Sequence, residues 1–210
     1  MKIVLLSKTR FDETEVAVVT SLFENGLDTY HLRKPKLSTR QVKQILDTFP
    51  KQFHSRIIIH SHHQLARKYN LKGVHYTRTH LRRSFKNWWR KITLGISKSD
   101  LIKTSSSTKL SSLYDDNEIE FDYVFLSPVF DSLTGKFQSG FYEDGIRAAI
   151  NKSGKNIVAR GGVDIRRLEK IKEIGFYGMA LGSCIWESKE PLEEYLKIVS
   201  RCRELNIEIK

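Results

Sequence analysis

Residues 156–182 read Asn156-Ile-Val-Ala-Arg-Gly-Gly-Val-Asp-Ile-Arg-Arg-Leu-Glu-Lys-Ile-Lys-Glu-Ile-Gly-Phe-Tyr-Gly-Met-Ala-Leu-Gly182. Asn156–Arg160 is a short apolar run, and Gly161-Gly162 ends it. From Asp164 onward, Ile165, Leu168, Ile171 and Ile174 recur at helical spacing, and Gly175 is a stop. Gly178–Gly182 is a second apolar run. Neither run alternates polar with apolar residues, which suits strands covered on both faces. A helix that carries the chain between two such strands makes them parallel.

The same unit repeats outward along the chain. Further strand-like runs are Ile3–Ser7, Thr29–Arg33, Arg56–His60, Gly73–Tyr76, Ile92–Ser97 and Phe121–Ser127. Helical spacing lies between them. Asp12 opens one helix as an N-cap, with Glu15 three residues on in a capping-box pattern, and Val16, Val19, Leu22 and Phe23 form its apolar face. Ser38–Phe49 places Val42, Ile45, Leu46 and Phe49 on one face, and His62–Asn70 is a shorter helix. Pro191 suits a helix's first turn, followed by Leu192, Tyr195, Leu196 and Val199. The polar run Lys103–Thr108 reads as a loop or a helix start. Eight β–α units imply an α/β fold, a single (β/α)8 TIM barrel forming one domain over residues 1–210. A doubly wound open sheet is the rival, but Ser7-Lys-Thr-Arg-Phe-Asp after the first strand carries no G-x-G-x-x-G.

Composition narrows the class. The chain has 210 residues, enough to bury roughly 70% of its unfolded surface without a disulfide or metal staple. Apolar runs such as Ile3–Leu6 fall far short of the roughly 20 residues of a membrane span, and MKIVLLSKTR is too short an apolar core for a signal peptide. The only cysteines, Cys184 and Cys202, fit a reduced, cytoplasmic protein. Thirty-six Lys+Arg against 24 Asp+Glu give a net charge of +12, which favours anionic partners.

In a barrel the active site gathers at the C-terminal ends of the strands. Those ends read Ser7, Arg33-Lys34, His60-Ser61-His62, His75-Tyr76, Ser97, Ser127-Pro128, Gly161-Gly162 and Gly182-Ser183. The glycine turns after strands seven and eight are where backbone N–H groups meet a phosphate. Ser132, Thr134 and Lys136 fall close together in the loop after strand six, where two hydroxyls and an ammonium suit a pyrophosphate. His60, His62, His63, His75 and His80 raise the question of a metal, and His60 and His62 could share a face. No Asp or Glu joins them at a strand end, so no metal ligand is assigned. His75 reads instead as a packed or substrate-facing residue.

Taken in order, these segments resemble the thiamine phosphate synthase family, including its thiazole tautomerase branch, over nearly the whole chain. Tyr30-His-Leu-Arg-Lys is similar to Q-L-R-E-K, Gly73-Val-His-Tyr to G-V-H-L, and Leu94-Gly-Ile-Ser to G-x-S. The segment from Phe121 to Lys136 resembles D-Y-x-x-x-G-P-V-F-x-T-x-T-K, and Gly161-Gly-Val resembles G-G-I. Gly175, with Gly178-Met-Ala-Leu-Gly-Ser after it, resembles the ending G-A-x-G-V-A-V. The resemblance implies a TIM barrel, a transferase of thiamine biosynthesis. It joins hydroxymethylpyrimidine pyrophosphate to thiazole phosphate, forming thiamine phosphate and pyrophosphate with Mg2+. Its implied roles are Arg33 and Lys136 on the departing pyrophosphate, with Ser97, Ser132 and Thr134 hydrogen-bonded to it. Gly161, Gly162, Gly182 and Ser183 would hold the thiazole phosphate, with His60, His75 and Arg78 also binding substrate.

The chain departs from that pattern at the metal. His60-Ser61 stands where the family has Asn-Asp, and Thr77-Arg-Thr-His replaces G-Q-D-D. Both Mg2+-binding aspartates are absent, and Pro128 stands at the tautomerase histidine. A non-catalytic or tautomerase-like barrel that binds thiazole phosphate or thiamine phosphate is therefore the second reading. Thr77–Lys91 holds six cations (Arg78, Arg82, Arg83, Lys86, Arg90, Lys91) and no acid, with Phe85, Trp88 and Trp89 among them. That segment is a solvated surface helix, a source of cations such as Arg78 replacing Mg2+, or a nucleic-acid patch. No recognised nucleic-acid motif accompanies it. The expected partners are phosphorylated small molecules, with no membrane and with a homo-oligomer left open.

Overall fold

The computed structural model describes residues 1–81, 101–115, 119–131 and 140–210. The strands are β1 (Lys2–Leu6), β2 (Thr29–Leu32), β3 (Ile57–Ile59), β4 (Gly73–Tyr76), β5 (Ile102–Ser107), β6 (Tyr123–Leu126), β7 (Ile157–Arg160) and β8 (Gly178–Leu181). They close into a barrel in chain order. Helices alternate with them: α1 (Thr14–Glu24), α2 (Thr39–Thr48), α3 (Gln64–Lys68), α4 (Arg78–Leu81), α5 (Glu143–Ser153), α6 (Leu168–Ile174), α7 (Ser183–Trp186) and α8 (Pro191–Glu204). The chain divides into two compact units, Leu6–Ser105 and Met1–Leu5 with Ser106–Lys210.

In the unit Leu6–Ser105, β2 pairs parallel with β3 (His31 opposite Ile58), and β4 pairs with β5 (His75 opposite Thr104). Every residue of β2, β3 and β4 is buried, as the lack of alternation implies. Gly73 fixes the spacing of β4 and β5, because a Cβ there would lie 2.0 Å from the Ile102 carbonyl oxygen. Phe23, Tyr30, Phe49 and Phe53 pack ring on ring beneath α1 and α2. Ser38 caps α2 through a full capping box with Gln41.

The capping box expected at α1 forms only in half. Asp12 accepts from the Glu15 N–H at 3.1 Å, but the Glu15 side chain does not return to the cap. It turns inward, to Lys34 and Tyr30. The fifth strand also differs from expectation. Lys103–Thr108 is not a loop: β5 runs through it, and Thr104, Ser105 and Ser107 are buried. The polar side chains find partners, as Ser107 Oγ does at the Lys109 carbonyl, so the sheet tolerates them. The expected strand Ile92–Ser97 lies outside the described residues.

In the other unit, β8 pairs parallel with both β1 and β7, and β6 pairs with β7. Asp164 caps the turn that follows, accepting from the Arg166 N–H at 3.0 Å. The first turn there is a 3-10 helix (Ile165–Arg167), and α6 follows with Leu168, Ile171 and Ile174 buried and Gly175 left-handed at its end. Helix α8 has Pro191 in its first turn, but its buried face is Tyr195, Ile198 and Cys202, while Leu196 is 42% exposed. The expected face is thus rotated, because Ile198 and Cys202 continue the i, i+3, i+7 row from Tyr195.

Candidate functional site

Three successive strands each present one histidine. His31 comes from β2, His60 follows β3, and His75 comes from β4. His31 Nδ1 and His60 Nε2 are 3.0 Å apart, so one ring donates to the other. The His60 and His75 rings stack at 4.0 Å between centroids, with planes 19° apart. His75 Nδ1 lies 2.8 Å from Thr104 Oγ1 on the neighbouring strand. All three rings are buried, and one nitrogen from each falls within 4.8 Å of the others. Strand alternation explains the grouping: side chains two apart share a face, and neighbouring parallel strands in register keep that face.

His62 does not share a face with His60. Its backbone is left-handed, at φ 55°, and its ring joins Thr39 Oγ1 and the Leu37 carbonyl. His63 Nε2 meets the His75 carbonyl oxygen at 3.1 Å. The trio offers imidazole nitrogens and no carboxylate. Mg2+ demands oxygen ligands, so these residues do not fit the metal that the resemblance implies.

A second buried cluster surrounds Glu15. Lys34 Nζ donates to Glu15 Oε2 at 2.6 Å, and both side chains are 1% exposed. The Tyr30 hydroxyl and the Lys8 N–H donate to Oε1 at 2.6 and 3.0 Å. Burial lowers the Lys34 ammonium below the usual lysine range, while the Glu15 carboxylate opposes that shift. Burial, with Glu15 second, pushes the Tyr30 phenol well above its usual value. Lys34 is therefore matched within the fold by Glu15. A cavity of about 490 Å3 adjoins it, lined by Arg10, Phe11, Lys34, Lys36, Leu37 and Gln41 among others. Arg10, Lys34 and Lys36 bring cations to a lining that also holds Phe11, Leu37 and Ile45, and its size suits a small molecule.

Arg33 is exposed at the end of β2, where its backbone exchanges hydrogen bonds with the Ser7 hydroxyl. Arg78 opens α4 and is exposed. In the other unit, Ser127-Pro128 is a cis peptide after β6. The Phe130 N–H then donates to the Gly161 carbonyl oxygen at 3.1 Å. Gly161 and Gly162 have φ of +90° and +65°, and a Cβ on Gly162 would lie 2.2 Å from the Asp131 carbonyl oxygen. The glycine pair thus lets two strand-end loops run backbone to backbone. Gly182 precedes α7, which Ser183 opens. Ser97, Ser132, Thr134 and Lys136 lie outside the described residues, as do residues 82–91 of the basic segment.

Cys184 stands in α7, and burial pushes its thiol up to about 11. At pH 8 the native thiol should react with a disulfide reagent on the order of 100-fold more slowly than a free cysteine. A rate equal to that of the unfolded chain would show that the thiol is solvated.

Sequence reading missed His31 and Thr104 as members of the site. The usable signal was one histidine on each of three adjacent strands at like-facing positions, which needs the register to be seen.

A family profile described as "Thiamine monophosphate synthase" matches residues 3–185. The thiamine-phosphate synthase of Prochlorococcus marinus subsp. pastoris is 25% identical over 184 residues, covering 88% of this chain and 48% of that protein. A second Prochlorococcus marinus strain gives a match at 24% identity with the same coverage. The chain therefore spans about half the length of the curated relatives it matches. Among solved structures, thiamine phosphate pyrophosphorylase from Bacteroides thetaiotaomicron superposes with a TM-score of 0.75 at 23% identity, covering 97% of this chain and 98% of that one. The Pyrococcus furiosus enzyme of the same description gives 0.76 at 18% identity, covering 97% and 96%. At these identities the two structures speak for the fold.

Proposed function

The chain belongs to the thiamine monophosphate synthase family, and on that premise we propose that it joins hydroxymethylpyrimidine pyrophosphate to thiazole phosphate, acting as one domain in the cytoplasm. The methylene–oxygen bond of the pyrimidine substrate breaks, and pyrophosphate leaves with the electron pair. The thiazole nitrogen then forms the new carbon–nitrogen bond. Arg33 and Lys136 neutralise the leaving group, and Ser97, Ser132 and Thr134 donate hydrogen bonds to it. Gly161, Gly162, Gly182 and Ser183 hold the thiazole phosphate through backbone amides. His60, His75 and Arg78 bind substrate.

The observation that carries this reading is the Gly161–Gly162 turn after β7, with both residues at positive φ and inside the matched stretch. Arg10 and Lys36 in the lining of the cavity after β1 and β2 are consistent with a phosphorylated ligand. The absence of a carboxylate from the His31–His60–His75 group favours a second reading, a barrel that binds thiazole phosphate or thiamine phosphate without coupling.

Incubating the full chain with both precursors, with and without Mg2+, tests the first reading. Thiamine phosphate is expected in excess of the uncatalysed background. Its absence under both conditions, together with heat released on titrating thiazole phosphate, would leave the second reading in place.

A further inference from the structure

We propose that His31, His60 and His75 form a binding site for one divalent transition metal of the zinc class, in place of the magnesium used by the family. Three observations converge on it. One ring nitrogen from each residue already lies within 4.8 Å of the other two. Tetrahedral zinc–nitrogen bonds of roughly 2.0–2.1 Å set ligand nitrogens about 3.4 Å apart, so the 3.0 Å His31–His60 contact opens slightly and the stacked His60 and His75 rings turn to point one nitrogen each at the ion. The donors come from adjacent strands β2, β3 and β4, whose parallel pairing fixes their spacing.

The donor chemistry selects the metal. Imidazole is a borderline ligand that suits zinc, copper, nickel and iron, whereas magnesium needs oxygen. Thr104 supplies the outer contact that such sites use. Its Oγ1 lies 2.8 Å from His75 Nδ1 and orients that ring. Three neutral ligands leave the full charge of +2 on a bound ion and one coordination position open. An anionic fourth ligand, such as a phosphate or pyrophosphate oxygen, completes the site and balances its charge. The inference rests on side-chain geometry and stands whether or not the chain couples thiamine precursors.

The test is a metal titration of the chelator-treated full chain, read by calorimetry and by the ring 15N signals of the seven histidines. One equivalent of Zn2+ is expected to bind and to shift three histidine ring systems, while Mg2+ gives no saturable heat. Thr104→Val, which removes the hydroxyl and keeps the shape, should weaken Zn2+ binding about 10–100-fold. His75→Gln should weaken it by more than about 100-fold. His62→Asn, at a histidine outside the group, should leave the affinity unchanged. Pyrophosphate should tighten Zn2+ binding to the wild-type chain. Absence of stoichiometric Zn2+ binding overturns the proposal. So does binding that leaves the ring signals of His31, His60 and His75 in place, a readout that needs no variant to fold.

Discussion

Lys34→Ala is expected to destabilise the protein by about 3–5 kcal/mol, the cost of leaving one partner of a buried ion pair unmatched. Lys34 and Glu15 are each 1% exposed, so losing the ammonium leaves a carboxylate that the fold has largely desolvated. The Glu15 carboxylate would keep the Tyr30 hydroxyl and the Lys8 N–H, but two neutral donors do not balance a desolvated charge. For a chain of this length the unfolding midpoint should fall by roughly 10 °C. The double variant Glu15→Gln with Lys34→Met should recover most of the loss, because it removes both charges and keeps an amide oxygen to accept from the Tyr30 hydroxyl and the Lys8 N–H. Denaturant titration of wild type and the two variants checks this. Equal midpoints for Lys34→Ala and wild type would mean that the pair is solvated. The pair also has a pH signature. Desolvation depresses the Lys34 pKa in the folded state, so between that depressed value and the usual lysine value the unfolded chain binds more protons. The contribution of Lys34 to stability therefore rises with pH across that window.

Gly162→Ala is expected to cost about 3 kcal/mol, and the comparison with Gly26→Ala separates its two causes. Both glycines have positive φ, at +65° for Gly162 and +96° for Gly26. A Cβ at Gly26 meets nothing within 4 Å, so alanine there carries backbone strain alone, about 1–2 kcal/mol. A Cβ at Gly162 would overlap the Asp131 carbonyl oxygen and the Phe130 backbone, so the loop after β6 must move as well. Thermal unfolding of the two variants should place Gly162→Ala clearly lower. If the two fall by the same amount, the close approach of the loops is not maintained in solution. Under the proposed function the same variant should also weaken thiazole phosphate binding, since the displaced turn is the one assigned to the phosphate.

Most of the barrel could be read directly from the residues. Runs such as Ile57–Ile59 and Tyr123–Leu126 are apolar throughout because both of their faces are covered, and the glycines at 161–162, 175 and 182 punctuate the units where the chain turns. The fifth strand escaped because β5 is Ile-Lys-Thr-Ser-Ser-Ser, and its place depends on pairing with β4 rather than on apolar character. The site was legible by residue type but not by grouping. His60 and His75 could be placed at strand ends, yet sequence spacing paired His60 with His62, and a left-handed residue turned His62 away. His31 lay hidden within a strand because only cross-strand register brings it to His60. Glu15 looked like a capping residue at its spacing from Asp12. Only the arrival of Lys34 from the end of β2 shows why it is buried.

The make-up of β5 also matters before the sheet exists. Parallel strands pair late, and segments rich in β-branched apolar residues can cling to other unfolded copies while they wait. A six-residue strand with one isoleucine, one lysine and four hydroxyl side chains offers such contacts little to hold. It joins the sheet through backbone hydrogen bonds and the close seat at Gly73, and that seat is not available to a stray partner. The composition that hides β5 from pattern reading also hides it from neighbouring chains during synthesis.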